Sequence, residues 1–386
     1  MKILHCCLAV FYADDYGYQE NVLPKMHKLQ GHDVKIIAST ETYINNQTLG
    51  YTEAKKYLSS DGIPVVRLPY LKFLPHFVAR KLRVYPGLLQ EIENFSPDVI
   101  FLHDTQFLSI RTIVAYAQKY KVRVYADCHT DLVNSARNWV SKNILHGIIY
   151  KYCVQQAQKV VRKFYGTTPL RSDFLIQFYG VDPQMVELLP IGVDDSEIDT
   201  ANRGAIRTKL RSSLNLENDD LVVISGGKVD LRKNIHNLIE AVNSFPNEKL
   251  KLIIVGSITP EVQEKIKHLK LSTRIKLVGW KSPREINEYL FAGDLAFFPG
   301  THSVLWEQSV GLGLPAVFKR WEGITHTDLG GNCLFIKEGT ISEITGALTK
   351  ILEDKQLYDQ MKQTAELKGA KAFTYSEIAK RAIEVQ

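Results

Sequence analysis

The chain has few cysteines and no long apolar run. Its five cysteines, Cys6, Cys7, Cys128, Cys153 and Cys333, are odd in number and include no C-x-x-C pair. That argues against a disulfide framework or a structural zinc site and fits reduced thiols. No stretch reaches the roughly 18 to 20 apolar residues that a membrane-spanning helix needs, so any bilayer contact is expected to be peripheral. The apolar opening, Met1 to Phe11, lacks an A-x-A cleavage pattern and runs into a polar turn at Asp14 to Gly17. It reads as a first strand, not a signal peptide, and the expected location is the cytoplasm, including the inner face of the membrane.

Acidic residues are missing from one long segment. Between Asp131 and Asp173 there are only basic charges, Arg137, Lys142, Lys151, Lys159, Arg162, Lys163 and Arg171, interleaved with Trp139, Tyr150, Tyr152, Phe164 and Tyr165. Residues 1–190 hold 22 Lys and Arg against 16 Asp and Glu, while residues 191–386 hold 26 of each, so the whole net charge of +6 belongs to the first half.

What is present is ordinary for a globular protein: 386 residues, 45% hydrophobic and 23% charged. That length exceeds what one core usually supports, so two domains are expected. The first half alternates apolar strands (Lys2 to Val10, Val34 to Ser39, Val65 to Leu68, Val99 to His103, Val122 to Ala126, Lys163 to Gly166) with helices (Gln19 to Gln30, Ala79 to Phe95, Gln106 to Tyr120, Ser141 to Arg162, Pro169 to Tyr179). This is the pattern of a doubly wound α/β domain. After a polar connection, about Asp195 to Asp219, it restarts with strands Leu221 to Ser225, Lys251 to Val255, Ile275 to Val278, Leu295 to Phe298, Ala316 to Phe318 and Cys333 to Ile336, and a final helix is expected over Tyr375 to Val385.

The most informative stretch runs from Gly293-Asp294 to Phe318. Leu295 to Phe298 reads as a buried parallel strand, Pro299-Gly300 breaks it, and a helix is expected over Ser303 to Leu312. The N–H groups of Thr301, His302 and Ser303 at that helix start would suit an anion at a strand's carboxyl end. Glu307 or Gln308, one turn in, would accept hydrogen bonds from ribose hydroxyls. A second loop, Ser225-Gly226-Gly227-Lys228-Val229-Asp230-Leu231-Arg232-Lys233-Asn234, follows another strand. Its glycines allow close backbone approach, and Lys228 and Lys233 can reach a diphosphate. A solvated charged turn is the alternative.

In these residues the sequence resembles the nucleotide-sugar domain of the family 4 glycosyltransferases, whose pattern is an acidic residue, a strand ending in Pro, a Glu-containing loop, a helix with a second Glu, Gly-x-Pro and a strand. Gly313-Leu314-Pro315 matches, and counting back puts Gln308 where the second Glu stands, with Glu307 beside it. The loop after Pro299 is shorter than usual, and the first Glu has no counterpart. Lys228 replaces the Arg of the family's "G-R" and Asn234 the Gly of its "K-G". Gly31-His32-Asp33 and Pro97-Asp98 recur as the family's "GH-x-V" and "PD-x-I".

The resemblance implies a GT-B fold: two Rossmann-like α/β domains facing across a cleft, 1–192 for the acceptor and 193–368 for the donor, with 369–386 forming a helix that crosses back to the first. It implies sugar transfer from a UDP- or GDP-linked donor to a glycan or lipid-linked acceptor, with retention and without metal or other cofactor. His129 would then contact the donor sugar, and Gly17, Gln19 and Glu20 would lie near the reaction centre, the last two toward the acceptor. Asp127 and Asp131 would orient His129 or bind acceptor hydroxyls. Asp14-Asp15 is adjacent, not D-x-D, and is not read as a metal motif. The aromatic and basic run Tyr70 to Arg83 would suit an anionic membrane or equally be a partly buried loop with solvated charges, and no nucleic-acid motif accompanies it. An epimerase or hydrolase acting on the nucleotide sugar, or a non-catalytic scaffold, are the other readings.

Overall fold

A computed structural model describes residues 1–44, 48–132, 135 and 138–384; Arg137 lies outside the described residues. The chain divides into two units, Met1–Pro190 with Ile378–Gln386, and Ile191–Glu377. Residues 369–377, expected with the returning helix, stay in the second unit, because the helix Lys355–Phe373 runs through position 369 unbroken.

The first unit is built on an eight-stranded sheet and an antiparallel pair. Its strands are β1 (Lys2–Cys7), β2 (Asp33–Ser39), β3 (Glu41–Ile44), β4 (Thr48–Tyr51), β5 (Lys56–Leu58), β6 (Pro64–Leu68), β7 (Val99–His103), β8 (Arg123–Cys128), β9 (Val161–Gly166) and β10 (Val186–Leu188). The sheet order is β10-β9-β8-β7-β1-β2-β6-β5, with β3 and β4 paired apart. Every pairing in the sheet is parallel except β5 on β6. β1 and β7 are enclosed along nearly their whole length, as strands covered by helices on both faces must be. Strand order reverses between β1 and β7, the place where open α/β sheets leave a crevice at the carboxyl ends.

The expected helix over Ala79 to Phe95 is two helices, His76–Leu82 and Leu88–Phe95. Arg83 at φ 54° and Gly87 at φ 85° take left-handed conformations that no helix continues through. The expected Ser141 to Arg162 helix is π-helical over Ser141–Tyr150 and α-helical over Lys151–Ala157, and it ends in time for β9.

The second unit has six parallel strands, β11 (Leu221–Gly226), β12 (Leu250–Val255), β13 (Ile275–Gly279), β14 (Leu295–Phe298), β15 (Ala316–Lys319) and β16 (Cys333–Ile336), in the order β13-β12-β11-β14-β15-β16. Here the order reverses between β11 and β14. Phe297 and Leu295 pack into the core on one face of the sheet, and Phe298 and Ala296 into the core on the other. Full burial of such a side chain contributes about 1.5–3 kcal/mol. Trp306 stacks on Phe318 with ring centroids 4.3 Å apart.

The polar stretch read as an interdomain connection with a short helix carries the helix Arg203–Ser213, which is part of this unit. Arg207 donates to the carbonyls of Phe291, Ala292 and Gly293, satisfying the open end of the helix Pro283–Ala292. Arg207 and Arg211 both pair with Asp294 at the entrance to β14.

Candidate active site

The two loops singled out in the sequence meet at the reversal point of the second sheet. Gly226 closes β11 so tightly against β12 that a Cβ there would sit 2.1 Å from the Val255 carbonyl oxygen. At Gly300 a Cβ would lie 2.2 Å from the Lys233 carbonyl carbon, so the loop after β14 rides directly on the loop after β11. Gly227, at φ 99°, lies beside Ser303. Lys233 fastens the pair: its ammonium donates to the carbonyls of Thr301 at 2.9 Å and His302 at 2.7 Å. Those bonds use two of its three donors and leave one for a ligand. Burial pulls the Lys233 ammonium down to about 8, with Asp230 opposing. Lys228 is exposed on the same loop. Asn234 takes φ 52°, the left-handed conformation that explains a glycine at this place in the family pattern, and its amide donates to the carbonyls of Pro299 and Glu338.

Three expectations in this unit need correction. The helix after β14 begins at Leu305 and has seven residues, Leu305–Gly311, and the Thr301 N–H is spent on the Arg232 carbonyl at 3.0 Å. Thr301 therefore offers no free amide to an anion. Glu307 does not face a ribose: its side chain is 0% exposed and its Oε1 accepts from His302 Nε2 at 2.7 Å and His326 Nε2 at 2.9 Å. Burial pushes the Glu307 carboxyl up, but the two imidazoles outweigh it and hold the group down at about 2. Gln308, half-buried on the same helix, is left as the residue of the pair with access to solvent.

In the first unit the expected residues gather at the carboxyl ends of β1, β7 and β8. Gln19, at the start of the helix Gln19–Leu29, donates to Asp127 Oδ2 at 3.0 Å. His103 Nδ1 reaches the same oxygen at 2.8 Å, the Asp104 N–H donates to Oδ1 at 3.1 Å, and His129 Nε2 stands 3.4 Å from Oδ2. Asp127 is thus enclosed by donors from the protein itself and is not open to acceptor hydroxyls. Burial pushes its carboxyl up, but His103 and His129 together hold it well below the usual carboxylate range. Burial pulls the His129 imidazole down, and Asp127 more than offsets this, raising it to about 9.

Asp104, at φ 61°, accepts from the His129 N–H at 3.3 Å and the Thr130 hydroxyl at 3.1 Å. Asp131 is buried beside Arg171 at 3.4 Å. Glu20 is half-buried and Gly17 exposed. Asp14 is held by Arg67 and Tyr57.

His103, Asp127 and His129, and likewise His302, Glu307 and His326, offer three atoms within the span of a metal ion. Hydrogen bonds join His103 to Asp127 and both His302 and His326 to Glu307, and both nitrogens of His103 are already engaged, Nε2 with His5 at 3.1 Å. Neither group is assigned to a metal.

A sequence model described as Glycosyltransferase Family 4 matches residues 20–197, and one described as Glycosyl transferases group 1 matches residues 206–368. The chain belongs to the family 4 glycosyltransferases. It is similar to mannosylfructose-phosphate synthase of Agrobacterium fabrum, at 22% identity over 232 residues covering 56% of this chain and 50% of that protein. It is also similar to the lipopolysaccharide core biosynthesis glycosyltransferase LpsE of Rhizobium meliloti, at 29% over 151 residues covering 38% and 44%. The chain thus spans about half or less of these relatives' length. Among solved structures, Anabaena HepE in complex with UDP aligns over 99% of this chain and 98% of its own at a TM-score of 0.68 and 16% identity. That similarity identifies the fold as GT-B.

In this family 4 glycosyltransferase four histidines that the sequence reading did not single out stand in or behind the two clusters. His103 closes an apolar strand at the reversal point, and that position was the available signal. His5 and His27 are buried polar residues in an apolar strand and an amphipathic helix, with nothing local to mark them. His326 comes from the irregular segment between β15 and β16, and no motif announces it.

Proposed function

We propose that the protein transfers a sugar from a UDP- or GDP-linked donor to a glycan or lipid-linked acceptor of cell-surface polysaccharide, with retention of configuration and without a metal or other cofactor. The observation that carries this reading is Lys233, a partly desolvated cation tied to both loops at the reversal between β11 and β14. Together with exposed Lys228 it would supply the positive charge that a departing diphosphate needs, the part a metal plays elsewhere. HepE, which has the same fold, was solved with UDP. Gln308 would meet the ribose, and His129, oriented by Asp127 and Asp104, the donor sugar.

A lipid-linked acceptor implies contact with an anionic membrane surface, without nucleic acid, and the first unit supports it. Among the described residues no helix is long and apolar enough to cross a membrane. Phe73 and Phe77, 79% and 67% exposed, stand out beside exposed Lys72, Arg80 and Lys81, and Trp139, 70% exposed, stands at the start of the helical segment that ends at Tyr150. Tyr150 donates to the Lys81 carbonyl, so the two segments are neighbours. Arg83, by contrast, turns inward onto the Gln106 carbonyl.

The test is release of nucleoside diphosphate from UDP- and GDP-sugars, with glycolipid acceptors in anionic vesicles and with EDTA present. Acceptor-dependent release supports the reading. Acceptor-independent isomerisation or hydrolysis would replace it with an epimerase or hydrolase.

A further inference from the structure

Behind Asp127 runs an unbroken line of buried imidazoles. His103 Nε2 lies 3.1 Å from His5 Nδ1, His5 Nε2 lies 3.0 Å from His27 Nδ1, and His27 Nε2 lies 2.9 Å from the carbonyl oxygen of Ala379. All three side chains are fully enclosed. The line begins at the carboxylate on β8, passes through β7, β1 and the first helix, and ends on the last helix, Tyr375–Ile383.

Both ends of this line are acceptors, and that fixes its protons. The Ala379 carbonyl only accepts, so His27 donates from Nε2 and its Nδ1, if the ring is neutral, must accept. His5 then donates from Nε2 and accepts at Nδ1, and His103 donates from Nε2. The remaining contact, His103 Nδ1 to Asp127 Oδ2, needs a proton of its own. Four contacts therefore require four protons, and three neutral imidazoles carry three. The extra proton belongs on His103, because Gln19 and the Asp104 N–H already donate to Asp127 and favour its ionised form. Burial lowers both His5 and His27, His27 to about 4, which keeps those rings neutral as the count demands. The other titratable groups facing the line are His32 beside His27, and Cys7, Glu20, Asp104 and His129 around Asp127.

We propose that His27, His5 and His103 are positioning residues of the transferase, a proton-complete chain that seats an imidazolium against Asp127 and links docking of the last helix to the charge felt by Gln19 and His129. The functional link rests on the reading that Asp127 and His129 belong to the transfer site.

The experiment is long-range proton–nitrogen NMR of the histidine rings in the full chain at pH 7. His103 is expected to be protonated on both nitrogens, and His5 and His27 only on Nε2. In His27→Leu two imidazoles face two contacts and need no extra proton, so His103 becomes neutral and His129 titrates about one unit higher. In His27→Gln the amide both accepts from His5 and donates to Ala379, so the wild-type pattern returns. Should His27→Leu fail to fold, His5→Leu tests the same loss.

A neutral His103 in the wild type, or a doubly protonated one in His27→Leu, overturns the chain. An unmoved His129 overturns its link to the site. None of these readouts involves nucleotide, so failure of the donor-site reading is detected separately.

Discussion

His302 Nε2 and Glu307 Oε1 lie 2.7 Å apart, with His326 closing on the same oxygen from 2.9 Å. This buried carboxylate organises the loop after β14 from beneath, where the sequence suggested a ligand contact. Its folded pKa, about 2, is below the usual 4.5. The stability it contributes is therefore present above pH 4.5 and lost as pH falls toward 2. Chemical denaturation between pH 6 and 3 should show the wild type losing about 2 kcal/mol that Glu307→Gln does not lose. Parallel profiles for the two proteins would contradict the ion cluster.

His129 has the opposite sign. Raised to about 9 from 6.5, it contributes stability that is full below pH 6.5 and lost as pH rises through 9. Wild type should lose about 3 kcal/mol across that window relative to His129→Gln in urea unfolding. The same ionisation should set the alkaline limb of the turnover profile.

Asp294 joins two arginines of the Arg203–Ser213 helix to the start of β14 and also accepts from the Val222 N–H. Asp294→Asn leaves two cations without their partner and is expected to cost about 3 kcal/mol of unfolding free energy. Nucleotide affinity of the folded protein should stay unchanged, because the residue stands at the strand's opposite end from the ligand loops.

The long parallel strands were legible because burial on both faces leaves an apolar signature: Val99–His103, Leu295–Phe298 and Cys333–Ile336 fall where the sequence places them. The short strands Lys56–Leu58 and Val186–Leu188 were not, since an exposed edge needs no apolar run. Loop glycines and lysines located the ligand loops, because backbone approach and charge are local properties. The roles of Glu307 and Asp127 were not local. Each is set by histidines arriving from distant segments, His326 for one and His103 for the other, which no spacing in the sequence foretells.

The donor site stands or falls on Lys233. Calorimetric titration with UDP and GDP, alone and as nucleotide sugars, should give micromolar binding to the wild type and at least tenfold weaker binding to Lys233→Ala, with Lys228→Ala intermediate. Because Lys233 sits near 8, binding a diphosphate at pH 8 should take up about half a proton, read from buffers of different ionisation enthalpy. No binding of any nucleotide by the wild type, or equal binding by Lys233→Ala, would contradict the site and favour a non-catalytic scaffold.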